Sequence, residues 1–204
     1  MEFYEAVAKR RTVREFASAV VPEEKIRRVL EAGLKAPSNA HLKYWHFILL
    51  RDRAERNRAV TTVLRARDIK DPQEIEAFIS RFDEENLKKV YRKSLPLQMT
   101  MMLEAPELLV VCYKMKPLSE CRTLFELNPI ASVWMCIENI MLALAAEGLY
   151  GCTYTPYDAS GLKAHLGIPA GYEIAAVIPF GFPEEDPCPG ETIVLDERIH
   201  LDKW

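Results

Sequence analysis

The amino-acid sequence predicts an α+β fold. Three runs of strand length, WHFILLRD at 45–52, ELLVVCYK at 107–114 and YEIAAVIPFGFP at 172–183, are apolar and bounded by charge or by a turn. Around them lie stretches with helical periodicity, the longest of them at 129–147. The composition, 49% hydrophobic, 28% charged and 9% aromatic, is that of an ordinary globular chain. At 204 residues the chain is long enough to bury about 70% of the surface it exposes when unfolded, so one domain over 1–204 is the expectation.

In chain order, residues 2–9 read as a short helix with Phe3, Ala6 and Val7 on one side. RRTVREFASAV follows as an extended segment. PEEKIRRVLEAGLKA at 22–36 is a helix: Pro22 suits its start, Glu23 and Glu24 favour the positive end of the helix dipole, and Ile26, Val29, Leu30, Gly33 and Leu34 form its apolar stripe. After the 45–52 strand, residues 53–95 are polar and mostly helical. Ile75, Phe78, Ile79, Phe82 and Leu87 recur there at helix spacing, which marks 65–95 as a helical lid or substrate-facing insert. In the 129–147 helix, Ile130, Val133, Trp134, Ile137, Ile140, Met141 and Leu144 repeat at three and four, and Gly148 stops it. A strand at 150–155 comes next, then a short helix that Asp158 begins as N-cap and Gly167 and Pro169 end. The last twenty residues, 185–204, contain TIVL and read as an arm leaving the domain.

Several function classes have no foothold. A net charge of −3 argues against nucleic acid as a partner. No apolar run reaches the ~20 residues of a membrane helix, and MEFYEAVAKR lacks the charge and h-region of a secretory leader. The five cysteines, Cys112, Cys121, Cys136, Cys152 and Cys188, are widely spaced and form no CxxC pair. A soluble protein of the reducing cytoplasm is expected. The four histidines have no metal-ligand spacing, so no metal is expected. No GxSxG, Walker or GxGxxG motif is present.

Two stretches carry chemistry. In an extended RRTVR, Arg10, Thr12 and Arg14 share one face, while Arg11 and Val13 share the other. Arg10 and Arg14 then stand about 13 Å apart, enough to grip two ends of an elongated anion. Guanidinium forks bind phosphate bidentately and the threonine hydroxyl adds a donor. The alternative is a solvated basic edge paired with Glu15, Glu23 or Glu24. The second stretch, APSNAHLKYWHF at 36–47, places Pro37, Ser38 and Asn39 at a strand entrance, either as a ligand-facing loop or as an ordinary turn.

Together with NPIASVWMCIENIMLALAAEGLYGCTYTP and LGIPAGYEIAAVIPFGFP, these stretches resemble, in order and over most of the chain, the FMN-dependent nitroreductase family. RRTVREF is similar to that family's RRS(I/V)R(K/E)F, and the APSN stretch to its APS loop and WxF strand. The resemblance implies a three-layer α/β/α sandwich on a mixed, largely antiparallel sheet. It further implies a homodimer with a domain-swapped C-terminal arm and FMN in the interface. Arg10, Arg11 and Thr12 would hold the phosphate, and Arg14 would face the N1/O2 edge of the ring. Strand alternation turns Arg11 away, while the resemblance keeps it in the site. Pro37, Ser38 and Asn39 would come from the partner, with Tyr154 and Thr155 near N5. NAD(P)H would deliver hydride to N5 in a ping-pong cycle, and a small acceptor, nitroaromatic or quinone, would then be reduced. FMN carries that chemistry, so no catalytic acid or base is required.

The pattern departs from the family at Tyr44, where a proline is usual, and at the C-terminus. There GETIVLDERIHLDKW replaces an RKPLEE-like segment and leaves Arg198 as the basic candidate. TYTP and APSNAH also resemble the iodotyrosine deiodinase branch, whose lid clamps a zwitterion with Glu, Tyr and Lys. Glu74 or Glu76 and Lys88 or Lys89 stand in the corresponding insert, with Phe78 at the tyrosine position. Reductive dehalogenation, flavin binding without efficient turnover, and docking of an acidic partner on RRTVR are the alternatives.

Overall fold

Alternation along the strands organises the molecule. The computed structural model describes residues 2–188, 190 and 194–204. In chain order its elements are α1 (Phe3–Lys9), α2 (Glu23–Leu34), β1 (Trp45–Leu49), α3 (Arg53–Asn57), α4 (Pro72–Ile79), α5 (Glu85–Ser94), α6 (Gln98–Glu104), β2 (Glu107–Lys114), α7 (Asn128–Ala146), β3 (Tyr150–Gly151), α8 (Ser160–His165) and β4 (Tyr172–Gly181). The sheet order is β1-β2-β4-β3, with every named pair antiparallel. One parallel bridge, Thr12 to Gly151, makes it mixed.

Leu109, Val111, Ile178 and Phe180 point to one face, where they meet Ile26 and Val29 of α2 and Val133, Ile137 and Ile140 of α7. Leu108, Val110, Cys112 and Val177 point to the other, against Met101 and Met102 of α6 and Leu162 of α8. Three layers result, and β2 reads as unbroken apolar sequence because both its faces are covered. A register shift between Val111 and Cys112 leaves Ala175 and Ala176 in the same core cluster. Gly33 belongs to the α2 stripe because a side chain there would meet Ile140 Cγ1 at 2.7 Å. Glu147, just past α7, ties the same layer: its carboxylate accepts from Arg28 Nε at 2.7 Å and pairs with Lys25 at 3.2 Å.

Some expectations need correction. On α1 only Ala6 is buried, with Phe3 63% and Val7 44% exposed, and Trp134 of α7 turns outward. Both helices keep an apolar face that none of the described residues covers. The 150–155 strand is two residues long, followed by a bridge from Tyr154 to Val177. The N-cap position of α8 is Ala159, not Asp158; Asp158 stands one residue earlier and accepts from the Ser160 N–H at 2.8 Å, in the turn that leads into the helix. With its preceding 3₁₀ turn, α7 runs over Leu124–Ala146, 23 residues, long and apolar enough to cross a membrane by length and composition. Sequence runs understate this length because polar residues interrupt them. Here that helix lies on the sheet.

Residues 65–95 fold over a small core of their own, Ile69, Ile75, Ile79 and Leu95, flanked by Phe78, Phe82 and Tyr91. At the C-terminus, Thr192 and Ile193 of TIVL lie outside the described residues. From Val194 onward every residue is exposed, including a 3₁₀ turn at Leu195–Arg198.

Candidate functional site

The RRTVR segment is an edge strand held at separated points. Val13 donates its N–H to the Gly151 carbonyl at 3.1 Å, Ala17 to Phe182 at 3.0 Å, and Phe16 bridges Pro183. A side chain at Gly151 would meet the Pro179 carbonyl at 2.9 Å, so glycine permits the close approach of β3 to β4. Arg10 is the residue that ends α1, and it reaches back to Glu138 of α7 at 3.7 Å. Arg11 donates Nε to the Cys188 carbonyl at 3.1 Å and Nη1 to the Arg10 carbonyl at 2.6 Å. Simple alternation therefore fails. Arg10 sits at a helix end, outside the bridged stretch, so its direction follows α7 and not the strand. Glu15, Glu23 and Glu24 form no ion pair with this segment among the described residues, and Glu23 is held by Arg51 at 2.6 Å.

Arg14 stands where two clefts meet. One, of about 570 Å³, is lined by Arg11, Thr12, Arg14, Lys93 and the 184–188 chain. The other, of about 880 Å³, is lined by Arg14, Cys152 and the TYTP residues Tyr154 and Thr155, with the 65–95 insert opposite. The Nε of Arg14 is buried and has no hydrogen-bond partner among the described residues. An unpartnered buried donor of this kind costs about 1–3 kcal/mol. Burial raises the Cys152 thiol above its ordinary pKa and the Arg14 charge pulls the other way. Burial also raises the Tyr154 phenol, which keeps that wall of the cleft neutral.

The APSN loop lies elsewhere in the same protomer. Asn39 donates its N–H to Ser132 Oγ at 3.0 Å, near the start of α7, and Lys43 donates its N–H to Ser38 Oγ at 3.1 Å. Ser38 and Asn39 line a shallow pocket with Trp45 and Tyr113, while Pro37 is exposed. Ala40, His41 and Lys43 have positive φ (51°, 55° and 46°), an uncommon conformation for side-chain-bearing residues. Arg198 is exposed and lines none of these clefts.

In the insert, three of the four groups considered as a zwitterion clamp are engaged with neighbours, and Lys89 has no ion pair among the described residues. Glu74 pairs with Arg67, Glu76 with Arg92 at 2.8 Å and Lys88 with Glu85 at 2.7 Å. The insert instead presents Phe78, Arg81, Leu87, Val90 and Tyr91 to the large cleft. Sequence reasoning passed over Arg81 and Tyr91. The one signal for them was the concentration of aromatic residues Phe78, Phe82 and Tyr91, which the break between α4 and α5 brings together only in the fold.

The fold and clefts have counterparts in known proteins. The sequence profile of the Nitroreductase family matches residues 7–182. The chain belongs to this family of FMN-dependent oxidoreductases. It is 29% identical to a proposed NADH dehydrogenase/NAD(P)H nitroreductase of Methanothermobacter thermautotrophicus, over 100% of this chain and 88% of that protein. It is 26% identical to an iodotyrosine deiodinase of Haliscomenobacter hydrossis, over 90% of this chain and 80% of that one. A crystal structure of oxidized iodotyrosine deiodinase bound to FMN and 3-iodo-L-tyrosine superposes with a TM-score of 0.76 at 20% identity, covering 100% of both chains. That likeness is one of fold.

Proposed function

We propose that this protein is an FMN-dependent oxidoreductase that takes electrons from NAD(P)H and passes them, in ping-pong order, to a small acceptor such as a nitroaromatic or a quinone. The observation that carries the reading is Arg14, a cation that lines both clefts at their junction. The Arg14 guanidinium would meet the electron-rich N1/O2 edge of a flavin from this junction, and a positive charge there favours the reduced, anionic cofactor. Bound FMN supplies the reversible two-electron chemistry. The chain's residues hold and orient it: Thr12 and Arg11 in the smaller cleft receive the phosphate, and Tyr154 and Thr155 wall the ring. Arg10, now directed at Glu138, joins the phosphate if that exposed pair parts; such pairs contribute little to stability.

A homodimer completes this site. Asn39 is anchored at Ser132 and Arg10 at Glu138, six residues apart on α7, which is about 9 Å along the helix. A two-fold axis passing between these two anchors sets the partner's APSN loop against RRTVR, because such an interface matches each end of the patch to the other. Trp134 and Met135, 38% and 41% exposed, lie between the anchors. Pro37, Ser38 and Asn39 would then reach the flavin across the interface. Exposed apolar residues of the C-terminal stretch, Leu195, Leu201 and Trp204 among them, support 185–204 as the swapped arm, with Arg198 on it. We read 1–204 as a single unit, with 65–95 as its lid, in a cytoplasmic setting that suits five free thiols.

Reductive dehalogenation is the second reading, favoured by the likeness to the deiodinase of H. hydrossis. The pairing of Glu74 and Glu76 with arginines weighs against it, because an amino-acid ammonium then lacks its counter-ion.

Mixing the purified protein with FMN should shift flavin fluorescence to a plateau at one FMN per chain. Arg14→Ala should weaken that binding about ten- to a hundredfold. An unchanged flavin signal with the wild type would sink the reading. Anaerobic bleaching by NADPH, followed by recovery with a nitroaromatic, separates an enzyme from a flavin carrier.

A further inference from the structure

The larger cleft carries a second cation that flavin binding leaves unused. Arg81 follows α4 with its guanidinium carbon 3.6 Å from the centre of the Phe78 ring and 5.1 Å from that of Phe82. The rings beneath it support one another: Phe82 stacks on Tyr91 at 4.9 Å and 1°, and Phe78 tilts against Tyr91 at 5.3 Å. A guanidinium laid on a ring keeps its in-plane N–H fork free, the geometry that binds a carboxylate bidentately. Among the insert's carboxylates, Glu74, Glu76 and Glu85 are paired with other cations, the exposed Asp83 and Glu84 line no part of this cleft, and Arg81 has no ion pair among the described residues. Among the described residues, those lining this cleft include two arginines, Arg14 and Arg81, four aromatic rings and no aspartate or glutamate.

We propose that Arg81 is a specificity-determining residue, and that the cleft takes a planar aromatic acceptor bearing an acidic substituent. The acceptor's ring would lie against Phe78 and Tyr91 while its carboxylate or sulfonate meets the Arg81 fork. The inference rests on the oxidoreductase reading above and names the substrate class of that site. An amino-acid zwitterion fits less well, since its ammonium would face two cations and no acid. For a nitroaromatic acid the balance is ArNO₂ + NAD(P)H + H⁺ giving ArNO + NAD(P)⁺ + H₂O: the donor loses a hydride, and the nitro group gains two electrons and loses one oxygen as water. The phosphates of the nicotinamide donor offer the same anionic chemistry, so the test separates acceptor from donor.

The experiment uses the FMN-loaded protein, with flavin content of the wild type, Arg81→Ala and Arg81→Lys measured first by absorbance. Steady-state kcat/KM is then determined for 4-nitrobenzoate, for its neutral isostere 4-nitrobenzamide, and for NADH and NADPH. In Arg81→Ala the benzoate-to-benzamide ratio should fall about tenfold, and the benzoate-to-donor ratio should fall with it. Arg81→Lys, which keeps the charge but not the planar fork, should recover part of the loss. Unchanged ratios in flavin-loaded variants overturn this proposal alone. A loss confined to the nicotinamide donors also overturns it, assigning the anion to donor phosphates. A wild type that takes up no flavin overturns both readings together.

Discussion

The sheet with α2 and α7, and the insert at 65–95, hold themselves together in different ways. In the first, the core is continuous: Ile26, Val29, Leu109, Ile137, Ile140, Ile178 and Phe180 are all almost wholly inaccessible to water. Each such side chain contributes about 1.5–3 kcal/mol by burial alone. The insert's own core has four buried aliphatic residues, and beyond them stacked rings, a cation over a ring and exposed ion pairs. The larger cleft lies between these two regions, with Arg14, Cys152 and Tyr154 on the side of the sheet and Phe78, Arg81 and Tyr91 on the other. One wall is built to stay in place. The other has the sparse core of an element that opens below the global unfolding energy.

Phe180→Ala should break the comparison from the rigid side. The ring is fully buried on β4, and its removal should cost about 3–5 kcal/mol, read as a lower midpoint of cooperative unfolding in denaturant. Ile79→Ala removes a comparable share of a much smaller core, at a local cost of about 2–4 kcal/mol. Its effect should appear as faster hydrogen exchange across 69–97 with protection in β2 and β4 retained. Equal loss of protection in both regions would mean that they unfold as one unit.

Glu147 sharpens the same contrast with a smaller effect. The hydrogen bond from Arg28, aided by Lys25, pulls its carboxyl down to about 2 from an ordinary 4.5. A depressed carboxyl stabilises the fold fully above its unfolded pKa and loses that contribution as pH falls through its folded pKa. Glu147→Gln should therefore cost about 1 kcal/mol at neutral pH, and the gap to wild type should close between pH 4.5 and about 2. Melting curves across that window check the sign. A gap that widens with acid would refute the assignment.

Much of this molecule was legible before folding. The strand at 107–114 and the helix at 129–147 were readable because burial of whole faces imposes a repeat on the residues themselves. Gly148, whose φ is 74°, was readable because a helix stop is local chemistry, and Asp158 marked the start of α8 to within one residue for the same reason. RRTVR and APSN could be singled out by composition and order, though their side-chain directions could not. A strand's alternation holds only where the ladder is continuous, and this segment is bridged at isolated points. Hence Arg11 turns to Thr12 and Arg14 while Arg10 turns to Glu138.

The sequence by itself determined the α+β architecture, the family and the arginine-rich segment, because periodicity, caps and short motifs are properties of neighbours in the chain. Tertiary structure alone decided that the Arg14 Nε is buried with no hydrogen-bond partner among the described residues, that the APSN loop is anchored at Ser132 of α7, and that Arg81 lies on Phe78 in the cleft. Each of these depends on groups far apart in sequence. Their positions follow from how two faces of a sheet are covered, which no local pattern records.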